Sequence, residues 1–353
     1  MGEKGDMIME MTRAYVDFAV QKTKELLAID SPTGYTAEAI AWVKREFEAL
    51  GCETKISNKG ACLITVGGEG DGLLLAAHTD TLGGMVAEVK GNGRLRITNL
   101  GGFLAVNTET ENVRIHTRDG KIYEGTIQLN DPSAHVNDKV RTAERNFDTV
   151  QVVIDEDVKN AAETRALGIE VGDYVCAEPR FRVTESGYIK SRFLDDKLSV
   201  GTLLALVKYI RDHQIALSRK LYVFVTVYEE VGHGGSAGIP ADVTEGISVD
   251  MGCVGEGLMA TEKDVSICAK DATGPYDYRV TDKLVKAARK EGASYAIDVY
   301  PHYGSDVEAS LRAGYDIRHG CIGAGVYASH GYERSHVDGV MNLLKTLKGY
   351  LEI

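Results

Sequence analysis

The chain has 353 residues, 44% of them hydrophobic and 26% charged, an ordinary soluble globular composition long enough for two domains or one large one with an insertion. A formal net charge of −12 without any Lys/Arg block argues against a nucleic-acid partner. The cysteines (Cys52, Cys62, Cys176, Cys253, Cys268, Cys321) are scattered with no CxxC pair, which fits reduced core thiols better than a disulfide frame or a cysteine metal site.

The N-terminus, MGEKGDMIMEMTRAYVDF, carries acids where a signal peptide needs a basic start and an apolar run. No stretch reaches the roughly 18 apolar residues of a membrane span. A cytoplasmic protein with no membrane partner is expected.

Residues 9–30 and 35–50 have the apolar spacing of amphipathic helices, with Trp42 among the core positions of the second. The runs 61–66 (ACLITV) and 72–78 (GLLLAAH) predict strands, the second apolar on both faces and therefore central. Beyond Gly84 the texture changes. Asn92-Gly93 and Asp119-Gly120 each sit between alternating runs and predict two hairpins, and residues 86–187 hold one short helical candidate, near 159–166. This segment reads as an inserted β-rich, barrel-like domain. The domain of residues 1–85 resumes at 188 and runs to 353, where helices alternate with apolar strands. That rhythm predicts an α/β fold: an α/β/α sandwich around a mixed, largely parallel sheet.

In open α/β sheets ligands gather beyond the carboxyl ends of strands. The polar residues at those ends are His78-Thr79-Asp80, Asp195-Asp196 opening a helix, Glu229-Glu230, Asp250, and His330 with His336 near the C-terminus. Singly, each has a mundane reading as a core histidine, a helix cap or a turn residue. Together they place several buried carboxylates with no counter-charge, which two divalent cations would balance. Imidazole and carboxylate ligands suit zinc, cobalt or manganese, and paired metals are a recurrent hydrolytic device. His78 and Asp80, two apart, should point to one side of a strand end, and Glu229 and Glu230, adjacent, to different sides.

The ordered set HTD (78–80), LDDKLSVG (194–201), YEEVGHGGSAG (228–238), ISVDMG (247–252), GSD (304–306) and SHGYE (329–333) resembles the TET and glutamyl aminopeptidase family of dinuclear metallo-aminopeptidases, within the zinc exopeptidase clan. The resemblance spans nearly the whole chain, insertion included. It implies that Asp195 bridges two metals, that His78 and Asp250 complete one and Glu230 and His330 the other, that Glu229 is the general base, and that Asp80 orients His78. It further implies an aminopeptidase that attacks short peptides with a metal-bridging hydroxide. Self-assembly through the insertion, from a dimer up to a dodecamer, is implied as well. A deacylase or amidohydrolase of small N-acyl compounds is the alternative, and a catalytically silent metal-bound scaffold the second.

The chain departs from the family pattern at Lys197, where arginine is usual, at Thr81-Leu82, where an acid is common, and at Gly331-Tyr332, where Ser-Pro is common, a change expected to loosen that loop. His233 is read as a hydrogen-bonding turn residue and His302 as a loop residue. His336 is set aside in favour of His330 by the spacing to Glu333.

Overall fold

The computed structural model describes residues 11–353; the N-terminal segment MGEKGDMIME and the first two residues of the helix expected over 9–30 lie outside the described residues. The chain runs α1 (Arg13–Leu27), α2 (Ala37–Ala49), β1 (Glu53–Ile56), β2 (Cys62–Gly67) and β3 (Gly72–His78). It then makes β4 (Gly83–Val89), β5 (Leu95–Leu100), β6 (Asn112–His116), β7 (Ile122–Leu129), β8 (Val150–Ile154), α3 (Ala161–Ala166) and β9 (Tyr174–Ala177). There follow β10 (Arg182–Val183), β11 (Tyr188–Ser191), α4 (Leu194–Asp212), β12 (Lys220–Thr226), β13 (Val243–Val249), β14 (Gly252–Val254) and β15 (Val265–Lys270). The last elements are α5 (Tyr278–Lys290), β16 (Tyr295–Val299), α6 (Asp306–Arg312), β17 (Arg318–Tyr327), β18 (Glu333–His336) and α7 (Val337–Leu351).

These elements form an α/β/α sandwich and a closed barrel. The main sheet runs β1-β2-β12-β3-β13-β17-β18-β11-β10, with β14 and β15 also paired to β17 and β16 at the edge beyond β15. Its centre, β12-β3-β13-β17, is parallel and the rest of that path antiparallel, while β14–β17 and β15–β16 pair in parallel. Strand β3 is buried at all seven positions, as a strand between two parallel neighbours and two helical layers must be. Helices α1, α4 and α7 pack on one another, α5 packs on α7, and α6 lies against β3, β13 and β17.

The barrel closes in the order β4-β5-β8-β7-β6-β9. Both expected hairpins are present, with Gly93 (φ +83°) and Gly120 (φ +82°) in the left-handed conformation their turns require. Its interior is filled by Val86, Ile97, Ile115, Ile127, Val152 and Val175.

The ten-residue strand β17 has no clear signature in sequence, because small residues dilute its β pattern. The structure explains one of them: a side chain at Gly323 would place its Cβ 1.7 Å from the Asp250 carbonyl oxygen. Strand β17, which runs beside the metal-ligand candidate Asp250, therefore leaves no room there for anything but glycine.

Candidate metal centre

The carboxyl ends of β3, β12 and β13 open onto one cleft of about 430 Å³, walled by Asp195, Glu229, Glu230, Asp250, Asp306 and His330 among others. His78 ends β3, Asp195 opens α4 and Asp250 follows β13. His330 lies in the loop between β17 and β18.

Asp195 sits between two histidines. Its Oδ1 is 3.1 Å from His78 Nε2 and its Oδ2 is 3.8 Å from His330 Nε2. Glu230 Oε2 lies 3.8 Å from the same His330 nitrogen, and Glu229 Oε2 is 3.7 Å from His78 Nε2. Two ligand groups result, His78–Asp195–Asp250 and Asp195–Glu230–His330, each with donor atoms within 4.8 Å of one another and both sharing Asp195. All five residues expected as ligands thus come together, with Glu229 and Asp80 beside them.

Two local details differ from the strand-end expectation. Strand β12 stops at Thr226, and Glu229–Val231 form a single 3-10 turn entered through Tyr228 at φ +67°. The turn, rather than strand alternation, is what separates the two glutamates. Similarly, β3 stops at His78, so His78 Nδ1 bonds the backbone carbonyl of Asp80 (2.9 Å) and lies 3.6 Å from its carboxylate. That carboxylate instead accepts from Thr33 Oγ1 (2.7 Å) and from the Glu229 and Glu230 amides (3.1 and 3.4 Å). Asp80 therefore fixes the histidine through its main chain and the glutamate turn through its side chain.

Two further carboxylates support the site. Buried Glu333 accepts from the Asp195 amide through one oxygen and from the His330 amide through the other, both at 3.1 Å. Asp306 takes Thr226 Oγ1 at 2.5 Å and presses on the glycine-rich turn, where a Cβ on Gly234 would lie 1.7 Å from its Oδ1. Both belong to quoted motifs, and the spacing of three between His330 and Glu333 is a local sign of one contact, but Asp195 lies 138 residues from Glu333 and Thr226 lies 80 from Asp306, so spacing carries no sign of those. Asp196 accepts the His78 amide (3.1 Å) rather than an amide of the helix it opens, and the Asp195 and Asp196 backbones are not yet helical.

The remaining histidines separate cleanly. His233 is exposed; its backbone amide donates to the Tyr228 carbonyl (2.9 Å), while its ring has no hydrogen-bond partner among the described residues. His302 lines the cleft rather than merely closing a loop. His336 caps α7 by accepting from the Asp338 amide and reaches the Ser186 carbonyl, a structural role. Lys197 is buried and donates to the Leu26 and Ile29 carbonyls at the end of α1 (3.1 and 2.7 Å). The loop at Gly331-Tyr332 is fastened, not loosened: Tyr332 donates to the Arg180 carbonyl (2.9 Å) and stacks under its guanidinium.

The charge balance tests whether this donor set fits metal ions. Burial, followed by repulsion from neighbouring carboxylates, pushes Glu229, Glu230 and Asp196 well above the ordinary carboxylate range and Asp250 up to about 7. Burial opposes protonation of His78, yet its hydrogen bond to Asp195 and the surrounding acids raise it well above the usual imidazole value. No lysine or arginine forms an ion pair with Asp195, Glu229, Glu230, Asp250 or Asp306 among the described residues. Asp196 Oδ1 and Asp306 Oδ1 are buried with no hydrogen-bond partner among the described residues. Oxygen and imidazole donors around uncompensated negative charge fit divalent cations.

Residues 60–346 match the family described as M42 glutamyl aminopeptidase. A relative from Bacillus subtilis (strain 168), called a putative aminopeptidase YhfE, is 42% identical over 340 residues, covering 95% of this chain and 98% of its own. Among solved structures, an aminopeptidase from the archaeon Desulfurococcus kamchatkensis superposes with a TM-score of 0.85 at 20% identity, over 96% of this chain and 95% of its own. The TET1 peptidase of Pyrococcus horikoshii, described as assembling into a tetrahedron or a large octahedral shell, gives 0.81 at 23% identity, over 94% of this chain and 98% of its own. The two solved structures share the fold, and the family match with the 42% relative settles membership: this chain is an aminopeptidase of the M42 glutamyl aminopeptidase family.

Proposed function

We propose that the protein removes N-terminal residues from short peptides with two divalent ions per subunit, held by His78, Asp195, Glu230, Asp250 and His330. The observation that carries this reading is the position of Asp195, whose two carboxylate oxygens face two different imidazoles. Zinc, cobalt and manganese all suit the donors. When bound, such a pair acidifies a water and polarises the scissile carbonyl.

The chain's own groups divide the remaining work. Glu229, beside His78 and open to the cleft, takes a proton from the attacking water and passes it to the leaving amine. Asp80 holds the turn that aims Glu229 and Glu230, and Glu333 holds the two backbones that present Asp195 and His330. The acidic wall favours a substrate with a free α-ammonium and disfavours an N-acylated, anionic amino acid. That contrast supports a peptidase over a deacylase of the same fold.

The barrel, in this reading, is the oligomerisation domain (86–187), set into a catalytic domain of residues 1–85 and 188–353, in a cytoplasmic homo-oligomer. Similarity to a TET peptidase that forms closed shells supports assembly. A panel of aminoacyl-nitroanilides and N-acetyl amino acids, assayed after reconstitution with each metal, tests the function. Cleavage of unblocked substrates alone is expected, whereas turnover confined to the acetylated set would show a deacylase.

A further inference from the structure

The two ligand groups are not walled alike. The connection between β5 and β6 leaves the barrel as Gly101-Gly102-Phe103-Leu104 and lies directly on the second group. A Cβ on Gly102 would stand 2.3 Å from His330 Nδ1 and 2.5 Å from its Cε1. One on Gly101, at φ +63°, would stand 2.9 Å from the Glu230 carbonyl oxygen and 3.1 Å from Glu230 Cβ. Real side chains do not fit at such distances, so the backbone itself is the wall.

That wall is rooted in the barrel. Asn99 Nδ2 donates to the Gly101 carbonyl (2.7 Å), and buried Phe103 stacks on Phe147 with ring centroids 6.2 Å apart. Farther along, Asn107 Nδ2 reaches the His330 carbonyl at 3.4 Å, and Arg192 ties the Asn107 carbonyl to Glu111. His330 needs outside support, since Ala328 (φ +59°) and His330 itself (φ +63°) both occupy the left-handed region that non-glycine residues rarely adopt. With its Nδ1 edge against Gly102, the ring is left presenting Nε2 to Asp195 and Glu230.

We infer that residues 101–107 of the barrel complete the metal centre: they hold His330 in place and thereby set the affinity of the Glu230–His330 position alone. Gly101, Gly102 and Asn107 are positioning residues, acting through His330 and Glu230. The insertion then has a role within its own subunit besides any role in assembly. The inference rests on the two-metal reading, and the test separates the two.

The test is zinc binding to the chelator-stripped chain, followed by calorimetry and by metal analysis of the isolated protein. Wild type is expected to take up two zinc ions. Gly102→Ala should keep one with unchanged affinity and bind the other about 10–100-fold more weakly, the usual effect of disturbing a ligand's support. Gly91→Ala, at a barrel position with nothing within 4 Å of a Cβ, should behave as wild type. In a His330→Ala background, Gly102→Ala should have no further effect on zinc. If Gly102→Ala does not fold, Asn107→Ala carries the same test, with a weakened second ion expected. Two ions at wild-type affinity in the variant, or a further loss in the His330→Ala background, would overturn the inference while leaving the metal reading standing. A folded wild type that takes up no divalent ion would sink the metal reading, and the inference with it.

Discussion

Two clusters in this molecule, each at least partly buried, combine carboxylate and imidazole groups, and they end in opposite electrostatic states. At the junction of α1 with the barrel, Asp30, His116 and Cys176 converge closely enough to resemble a metal site. Yet Arg114 donates to both Asp30 oxygens (2.7 and 2.6 Å), and His116 Nε2 lies 2.8 Å from one of them. Despite burial, those partners hold the Asp30 carboxyl down at about 2. At the end of the sheet, by contrast, the only cationic partners that Asp195, Glu229, Glu230 and Asp250 meet among the described residues are two imidazoles, and three of the four acids are pushed upward. A shared donor set does not define a metal site; an unpaid charge does. The junction supplies its own cation, whereas the cleft has donor groups suited to one from outside.

The largest expected effect breaks the cleft's chemistry while leaving the five expected metal ligands in place. Glu229→Gln should lower kcat by about 10²–10⁴-fold, the usual contribution of a general base, while zinc uptake stays at the wild-type count. Loss of metal together with activity would instead make Glu229 a ligand.

Asp30→Asn tests the other cluster. It leaves Arg114 partly buried and unpaired, which should cost about 3 kcal/mol in urea unfolding, with no change in zinc stoichiometry. The same pair gives a pH dependence with a defined sign. The folded pKa of Asp30 is depressed from 3.8 to about 2, so its stabilisation is complete above about pH 4 and fades as pH falls through 2. The Asn variant should lack that part of the acid limb.

Stripping metal from the wild type should produce the reverse slope. Asp250, raised to about 7 in the absence of a cation, binds protons more tightly folded than unfolded between about pH 4 and 7. The stripped chain should therefore lose stability as pH rises across that window, and divalent ions should restore it near neutrality. An unchanged or opposite slope would remove the charge argument for the cleft.

The smallest expected change is at Glu333. Glu333→Gln keeps the shape but loses charge-assisted bonds to the Asp195 and His330 amides, and about tenfold weaker metal binding should follow. Unaltered binding would reduce Glu333 to a packing residue.

Local pattern was sufficient where structure is locally determined. The run GLLLAAH announces a central strand, and Asn92-Gly93 and Asp119-Gly120 announce hairpins, because period and turn chemistry act over a few residues. The ends of such strands also collect the polar residues that form the cleft. Long-range packing is what stayed hidden. Gly323 looks like a strand breaker until the Asp250 carbonyl is seen behind it, and Gly102 looks like loop filler until His330 is seen beneath it. The Asp30–Arg114 pair joins residues 84 apart that share no motif. Asp80 is expected to serve its neighbour His78, but its carboxylate serves a turn 149 residues away.

Metal counting by elemental analysis, on folded and reconstituted wild-type, Asp195→Asn and Asp30→Asn chains, tests the contrast between the clusters most directly. Two ions per chain are expected in wild type and in Asp30→Asn, and fewer in Asp195→Asn, which removes a charge shared by both positions. A wild type holding fewer than two ions, or an Asp30→Asn chain that loses one, would contradict the account.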